Sequence, residues 1–309
     1  MKTKSATFQD IEFSEEVSKA LKNNQPILVL ESTIITHGMP YPENYQTAKA
    51  LEDICRNQEV VPATIAIFEG KIQIGLDDDK LRKLSKLNSD IEKVSIRDIS
   101  YCLAMKKSGG TTVAATSYLA SLVGLEVFAT GGVGGVHRGV ANSWDISADL
   151  QSLKNNPVIV VSAGAKAVLD IPKTLEILDS YSVPVLGYKT DDFPAFYSST
   201  SGNKVRQIDS VLDIAKLWIK HQEINFTSGF LIGNPISKKD EIPAKIIEEQ
   251  IQIALREVSE LGINGKDITP FLLKRLYELT AGDSLKTNIA LVKNNVNLGC
   301  QIASELKQL

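Results

Sequence analysis

Four segments of this chain set reactive side chains among small ones just where apolar, β-branched runs end. In Val160-Val161-Ser162-Ala163-Gly164-Ala165-Lys166-Ala167 the lysine has nothing bulky beside it. Loss of water there, helped by a second cation, would favour the neutral amine that attacks a carbonyl or a sugar anomeric carbon. The alternative is an ordinary solvated lysine. Lys93, in Glu92-Lys93-Val94-Ser95-Ile96-Arg97-Asp98, is a candidate for that second cation or for a substrate clamp. Glu31 directly follows the run Leu28-Val29-Leu30. Burial would raise its pKa and make it a general acid, unless neighbouring backbone N–H groups simply satisfy it.

The stretch from Val127 to Gly139 carries five glycines in its last nine positions, followed or flanked by His137 and Arg138. Backbone N–H groups in such a loop can converge on an anion, so a phosphate cradle is set against a merely flexible loop. It is not a nucleotide fingerprint. His137 stands where GxGxxG needs its third glycine, and Val140 where a P-loop needs lysine. In Ser143-Trp144-Asp145-Ile146-Ser147-Ala148-Asp149-Leu150 the two aspartates are four apart, which would put them on one face of a helix. One of them could hold Mg²⁺ or Mn²⁺ with waters completing the shell, or Asp145 could cap the helix.

Elements that would position these groups are legible as runs and punctuation. Short apolar runs at Ile27–Leu30, Thr64–Ile67, Val127–Thr130, Val158–Val161, Val183–Tyr188 and Phe230–Gly233 alternate with helical patterns. Val158–Val161 is apolar at every position, as suits a parallel strand covered on both faces. This predicts a three-layer α/β/α fold, with ligands bound beyond the carboxyl ends of the strands. Ala63–Phe68 and Lys71–Gly75 flank Glu69-Gly70 like the arms of a hairpin, which makes the largely parallel sheet mixed. Thr269-Pro270 reads as the cap and first turn of a helix over Phe271–Leu279. Leu285, Ile289, Val292 and Val296 form one apolar stripe on a C-terminal helix. With no repeat or linker, residues 1–309 are read as a single domain.

Composition excludes several classes. A net charge of −3, from 34 basic and 37 acidic residues, gives no global field to draw nucleic acid or an anionic membrane. Three cysteines without a CxxC and three scattered histidines argue against a disulfide framework and a zinc site, and for a reducing, cytoplasmic setting. Met1–Lys22 lacks the apolar core of a signal peptide, and no run is long enough to span a bilayer.

Taken together, the segments resemble the pseudouridine-5'-phosphate glycosidases, the family also called indigoidine synthase A-like. The likeness is carried by Leu30-Glu31-Ser32-Thr33-Ile34-Ile35-Thr36-His37-Gly38-Met39-Pro40, Pro62–Ile67 and Phe128–Gly139. Asp145–Leu150, Ala163-Gly164-Ala165-Lys166 and Gly282-Asp283-Ser284-Leu285-Lys286 extend it from about Ile11 to the C-terminal helix. The resemblance implies reversible cleavage of the C–C glycosidic bond of pseudouridine 5'-phosphate to uracil and ribose 5-phosphate, with Mn²⁺, in a homotrimer with an α/β/α core.

Carried over by position, the resemblance makes Glu31 the proton donor, Lys166 the nucleophile and Asp145 the metal ligand. Lys93, Val113, Ser147, Ala148 and Asp149 become substrate contacts. Thr130, His137 and Asn288 are added on loop chemistry and position. A carbon leaving group departs poorly, so a covalent electron sink suits this reaction better than paired carboxylates. Two other readings use part of the same set: a Schiff-base aldolase acting on another sugar phosphate, and a non-enzymatic sugar-phosphate sensor.

Overall fold

Each apolar run does become a strand, and the strands pair side by side. The computed structural model describes residues 10–86, 91–263 and 268–309. Its strands begin with β1 (Ile11–Phe13), β2 (Ile27–Leu30), β3 (Val61–Phe68), β4 (Lys71–Ile74), β5 (Ile91–Val94) and β6 (Ser108–Thr111). They continue with β7 (Val127–Ala129), β8 (Val136–His137), β9 (Ile159–Ser162), β10 (Leu169–Asp170), β11 (Val185–Tyr188), β12 (Arg206–Ile208) and β13 (Phe230–Gly233). The main sheet has the order β1-β4-β3-β2-β7-β9-β13-β11-β12, with β6 on β3 and β5 on β6. β8 and β10 pair separately.

From β3 to β12 every pairing along that order is parallel. β3 meets β4 and β6 antiparallel, so the sheet is mixed as expected. The β3–β4 hairpin opposes Phe68 to Lys71 across Glu69 and Gly70, whose φ values of 49° and 77° are both positive. A two-residue turn of that hand matches the twist of the strands it joins, and glycine accepts it without strain.

Val158, Ile159, Val160 and Val161 are fully buried, so layers cover both faces of the sheet there. The helix Asp283–Leu306 lies on β2, β7 and β9 and against the helices Glu43–Asn57 and Val211–Glu223. The helix Val113–Leu122 lies on β2, β3 and β6 and packs on the helix Ala148–Asn155. Among the described residues no helix is long and apolar enough to cross a membrane.

Three local expectations change. The C-terminal stripe holds in part: Val292 and Val296 are buried as expected, but Leu285 and Ile289 are only half-buried, and Thr287, Asn288, Leu291 and Asn295 share the inward face. Polar residues occupy that face because it reaches the strand ends, where main-chain groups leave the ladder and need partners. The preceding helix spans Ile268–Leu279. The cap expected at Thr269-Pro270 therefore falls inside it, on side chains outside the described set. The edge strand β12 and the glycine-bearing β6 carry little apolar signal and were not anticipated.

Candidate active site

Parallel register brings the residues after β2, β7 and β9 to one edge of the sheet: Leu30 pairs Ala129, and Ala129 pairs Val161. Glu31 and Thr130 follow immediately, and the loop carrying Lys166 begins after Ser162. Beyond the strands, Ala163 N–H donates to Gly131 O (2.9 Å), Val133 N–H to Gly164 O (3.0 Å) and Lys166 N–H to Val133 O (3.0 Å). The glycine loop and the lysine loop are thus joined by main-chain bonds. Gly164 makes this possible: its φ is +87°, and a Cβ there would lie 2.0 Å from the Pro194 carbonyl oxygen. The lysine loop is tied again by Arg138, which donates to Ala167 O (3.3 Å) and Leu169 O (3.4 Å) and ion-pairs with Glu248. That guanidinium is therefore a brace, not the phosphate donor expected from the sequence.

Glu31, Lys93, Lys166, Gly131, Gly132 and Asn288 line one cavity of about 60 Å³, closed over by Phe196 and Leu273. An adjoining cavity of about 450 Å³ shares His37, Gly38, Leu273 and Asn288 with it. Glu31 accepts a very short hydrogen bond from the Thr130 hydroxyl. Burial pushes its carboxyl above the usual range; Lys166, the Thr130 donor and Lys93 pull it down, and Asp149 adds to the rise. The result is an acid that keeps its proton further up the pH scale than a surface glutamate, next to a lysine.

His137 lies 3.8 Å (Nδ1) from the Asp145 carboxylate, and its main-chain N–H donates to Asp145 O (3.0 Å). Burial holds its imidazole below the usual value; Asp145 raises it, and Lys166 and Lys93 lower it further. Lys93 and Lys166 therefore act on both His137 and Glu31.

Asp145 and Asp149 do not share a helical face. The chain leaves a short helical turn at Trp144, in the left-handed region with φ of 54°, and re-enters a helix only at Ala148. Ser147 caps that helix by accepting from Asp149 N–H (3.2 Å), so Asp145 is not the cap either. Its carboxylate is a third exposed. Among the described residues no three His, Cys, Asp or Glu side chains gather to hold a metal. An ion on Asp145 would have to be held by that one carboxylate and otherwise by water, as Mg²⁺ and Mn²⁺ can be and structural zinc is not.

Asp149 is buried, and its two oxygens accept from Ala114 N–H (2.9 Å) and Gly134 N–H (2.7 Å). It ties the glycine loop to the start of the Val113–Leu122 helix, and Val113 is buried beside it. The loop's own N–H groups are likewise engaged within the protein at Thr130, Val133, Gly134, Val136 and His137. This segment is more scaffold than cradle, and only Gly131 and Gly132 reach the cavity wall. Ala148 is exposed one residue past the Ser147 cap. Sequence reasoning passed over Phe196, Leu273 and His37 on the cavity wall. Of these only His37 carried a signal, as a histidine within the Glu31 segment.

The family model described as indigoidine synthase A like protein matches residues 16–305. The chain is 52% identical over 295 residues to a pseudouridine-5'-phosphate glycosidase of Geobacillus kaustophilus, covering 95% of this chain and 98% of the relative. It is 49% identical over 300 residues to one from Caldanaerobacter subterraneus, with 97% of each covered. Among solved structures it is similar to the prealnumycin C-glycosynthase AlnA in complex with ribulose 5-phosphate. There the TM-score is 0.90 at 34% identity, over 97% of this chain and 98% of that one. An indigoidine synthase A-like protein of Thermotoga maritima gives a TM-score of 0.88 at 34% identity, with 96% of each chain covered.

Proposed function

Because the chain belongs to the indigoidine synthase A like family, we propose that it cleaves and re-forms the C–C glycosidic bond of pseudouridine 5'-phosphate, with Lys166 as nucleophile and Glu31 as acid. The observation that carries this reading is the sharing of one small cavity by a half-buried, proton-retaining Glu31 and Lys166. Glu31 protonates the ring oxygen as the sugar opens and the C1'–O4' bond breaks, and the Lys166 amine adds at C1'. When the C1'–C5 bond breaks, its electron pair stays on the base carbon, which takes up a proton, and C1' becomes the carbon of an iminium ion. Water then releases the aldehyde of ribose 5-phosphate and restores the amine.

Lys93, His137 and the exposed Asp145 would face the phosphate end, with Val113 and Ser147–Asp149 bordering it. An ion on Asp145 would add positive charge, through water, next to the phosphate. We take that ion to be Mn²⁺ and the enzyme to be a homotrimer in the cytoplasm. The free, buried thiols of Cys55, Cys102 and Cys300 support a reducing compartment.

The test is to incubate the chain with Mn²⁺, ribose 5-phosphate and uracil. Formation of pseudouridine 5'-phosphate, seen by mass and ultraviolet absorbance, is the expected result. Aldehyde fragments from the sugar phosphate alone would favour the aldolase, and binding without turnover would favour the sensor.

A further inference from the structure

We propose that Asn295, on the C-terminal helix, is a positioning residue for the proton donor: its amide holds the Thr130 and Gly131 carbonyls so that the Thr130 hydroxyl stays aimed at Glu31. The inference rests on the reading of Glu31 as the acid. Asn295 is fully buried, in a helix whose neighbouring inward positions are Leu291, Val292, Val296 and Leu298. An amide in such surroundings costs free energy unless its donors and acceptor are used. They are used: Nδ2 donates to Thr130 O (2.7 Å) and Gly131 O (3.2 Å), and Oδ1 accepts from Asn234 Nδ2 (3.0 Å). Asn234 follows β13 and is itself fixed, its N–H donating to Ser162 O (2.8 Å). The amide pair therefore joins the ends of β7, β9 and β13.

Thr130 lies just past the last residue of β7. Its N–H is bonded to Val161 O at 3.0 Å and the next carbonyl, Gly131 O, accepts from Ala163 N–H at 2.9 Å, so both are held toward β9 while the Thr130 carbonyl is left to turn. Pinning both successive carbonyls to one amide removes that freedom, and the turn decides whether the hydroxyl meets the carboxyl. The other groups that act on Glu31 come from elsewhere: Lys166 from the loop after β9, Lys93 from β5 and Asp149 from the Ala148–Asn155 helix. Among these groups the Thr130 donor is the one whose own carbonyl Asn295 holds directly. Losing a donor to the ionised carboxylate moves the acid's midpoint upward.

The experiment follows the infrared band of the protonated Glu31 carboxyl, assigned as the one missing in Glu31→Gln, through a pH titration of the full chain. Asn295→Leu and Thr130→Val should each raise the midpoint by about half a pH unit or more, and the double variant should go no further than Thr130→Val alone. With pseudouridine 5'-phosphate, kcat should fall and its Glu31 limb should move the same way, while KM stays within about twofold. Should Asn295→Leu fail to fold, Asn234→Ala, which frees only the far end of the amide, should give a smaller rise in the same direction. A wild-type midpoint in either folded variant, even with a lower Tm, overturns the proposal, as does an Asn295→Leu rise that adds to that of Thr130→Val. Absence of turnover by the wild-type chain would instead refute the functional reading, and the titration would still decide the role of Asn295.

Discussion

Replacing Gly164 by alanine should displace Lys166 without altering any reactive group. The added Cβ would lie 2.0 Å from the Pro194 carbonyl oxygen, where real Cβ contacts stay beyond 3.0 Å, so the loop must retreat by about 1 Å. That shift is enough to cost about 100-fold in a reaction that depends on near-attack geometry. The φ of +87° adds about 1–2 kcal/mol of backbone strain. Gly124→Ala supplies the control. It has a φ of +73° but nothing within 4 Å of the new Cβ, so it should lose about 1–2 kcal/mol of stability at an unchanged kcat. Rates come from pseudouridine 5'-phosphate cleavage, and the amine's position from borohydride trapping of ribose 5-phosphate on the peptide containing Lys166. A Gly164→Ala enzyme with kcat and trapping within twofold of wild type would show that the loop relaxes without moving the amine, and the argument would fail.

Lys166→Arg should lose both the borohydride adduct and turnover, because a guanidinium stays protonated; trapping on another lysine would reassign the nucleophile. Glu31→Gln should be more stable than wild type at neutral pH. An acid whose pKa is raised by folding contributes stability below its ordinary value of 4.5 that is lost as pH climbs through the folded value. The Tm difference between Glu31→Gln and wild type should therefore widen as pH rises from 4.5 to the folded value and stay constant above it, and parallel Tm curves across that window would contradict the raised pKa. Asp149→Asn turns one of the two oxygens that accept main-chain N–H groups into a donor, at a cost of about 1–3 kcal/mol, readable in a denaturant melt; an unchanged midpoint would mean that bond matters little. Asp145→Ala, by contrast, should leave the metal-free Tm unchanged and raise the half-saturating Mn²⁺ concentration at least tenfold, whereas unaltered metal dependence would exclude Asp145 as the ligand.

Glu31 and Lys166 were legible because a buried parallel strand announces itself by unbroken apolar residues, and the first reactive group after it lands at the ligand-binding edge. Asp145 and Asp149 misled for the opposite reason. Their spacing assumes a continuous helix, and the left-handed Trp144 breaks it. The glycine loop looked like an anion site because glycine frees N–H groups, but where those groups point depends on residues distant in sequence, such as Asp149 and Thr174. Leu273 reaches the cavity from a helix whose periodicity says only that it is apolar, and Phe196 from the irregular segment between β11 and β12, which carries no periodicity at all. Asn295 gave no signal at all, standing beside Asn294, Asn297 and Lys293, and nothing local indicates that its partners are two carbonyls at the end of a strand.

The main-chain bonds between the stretches 130–133 and 163–166 make the spacing of the acid's hydroxyl partner, Thr130, and the amine a matter of residue count. Side chains along either stretch can be exchanged while the backbone register keeps Thr130 and Lys166 in step. One residue inserted into or deleted from either stretch would slide every following group past its partner. Variation within these loops should therefore be rich in substitutions and poor in changes of length, and a redesign that recruits a different amine should replace residues rather than extend the loop.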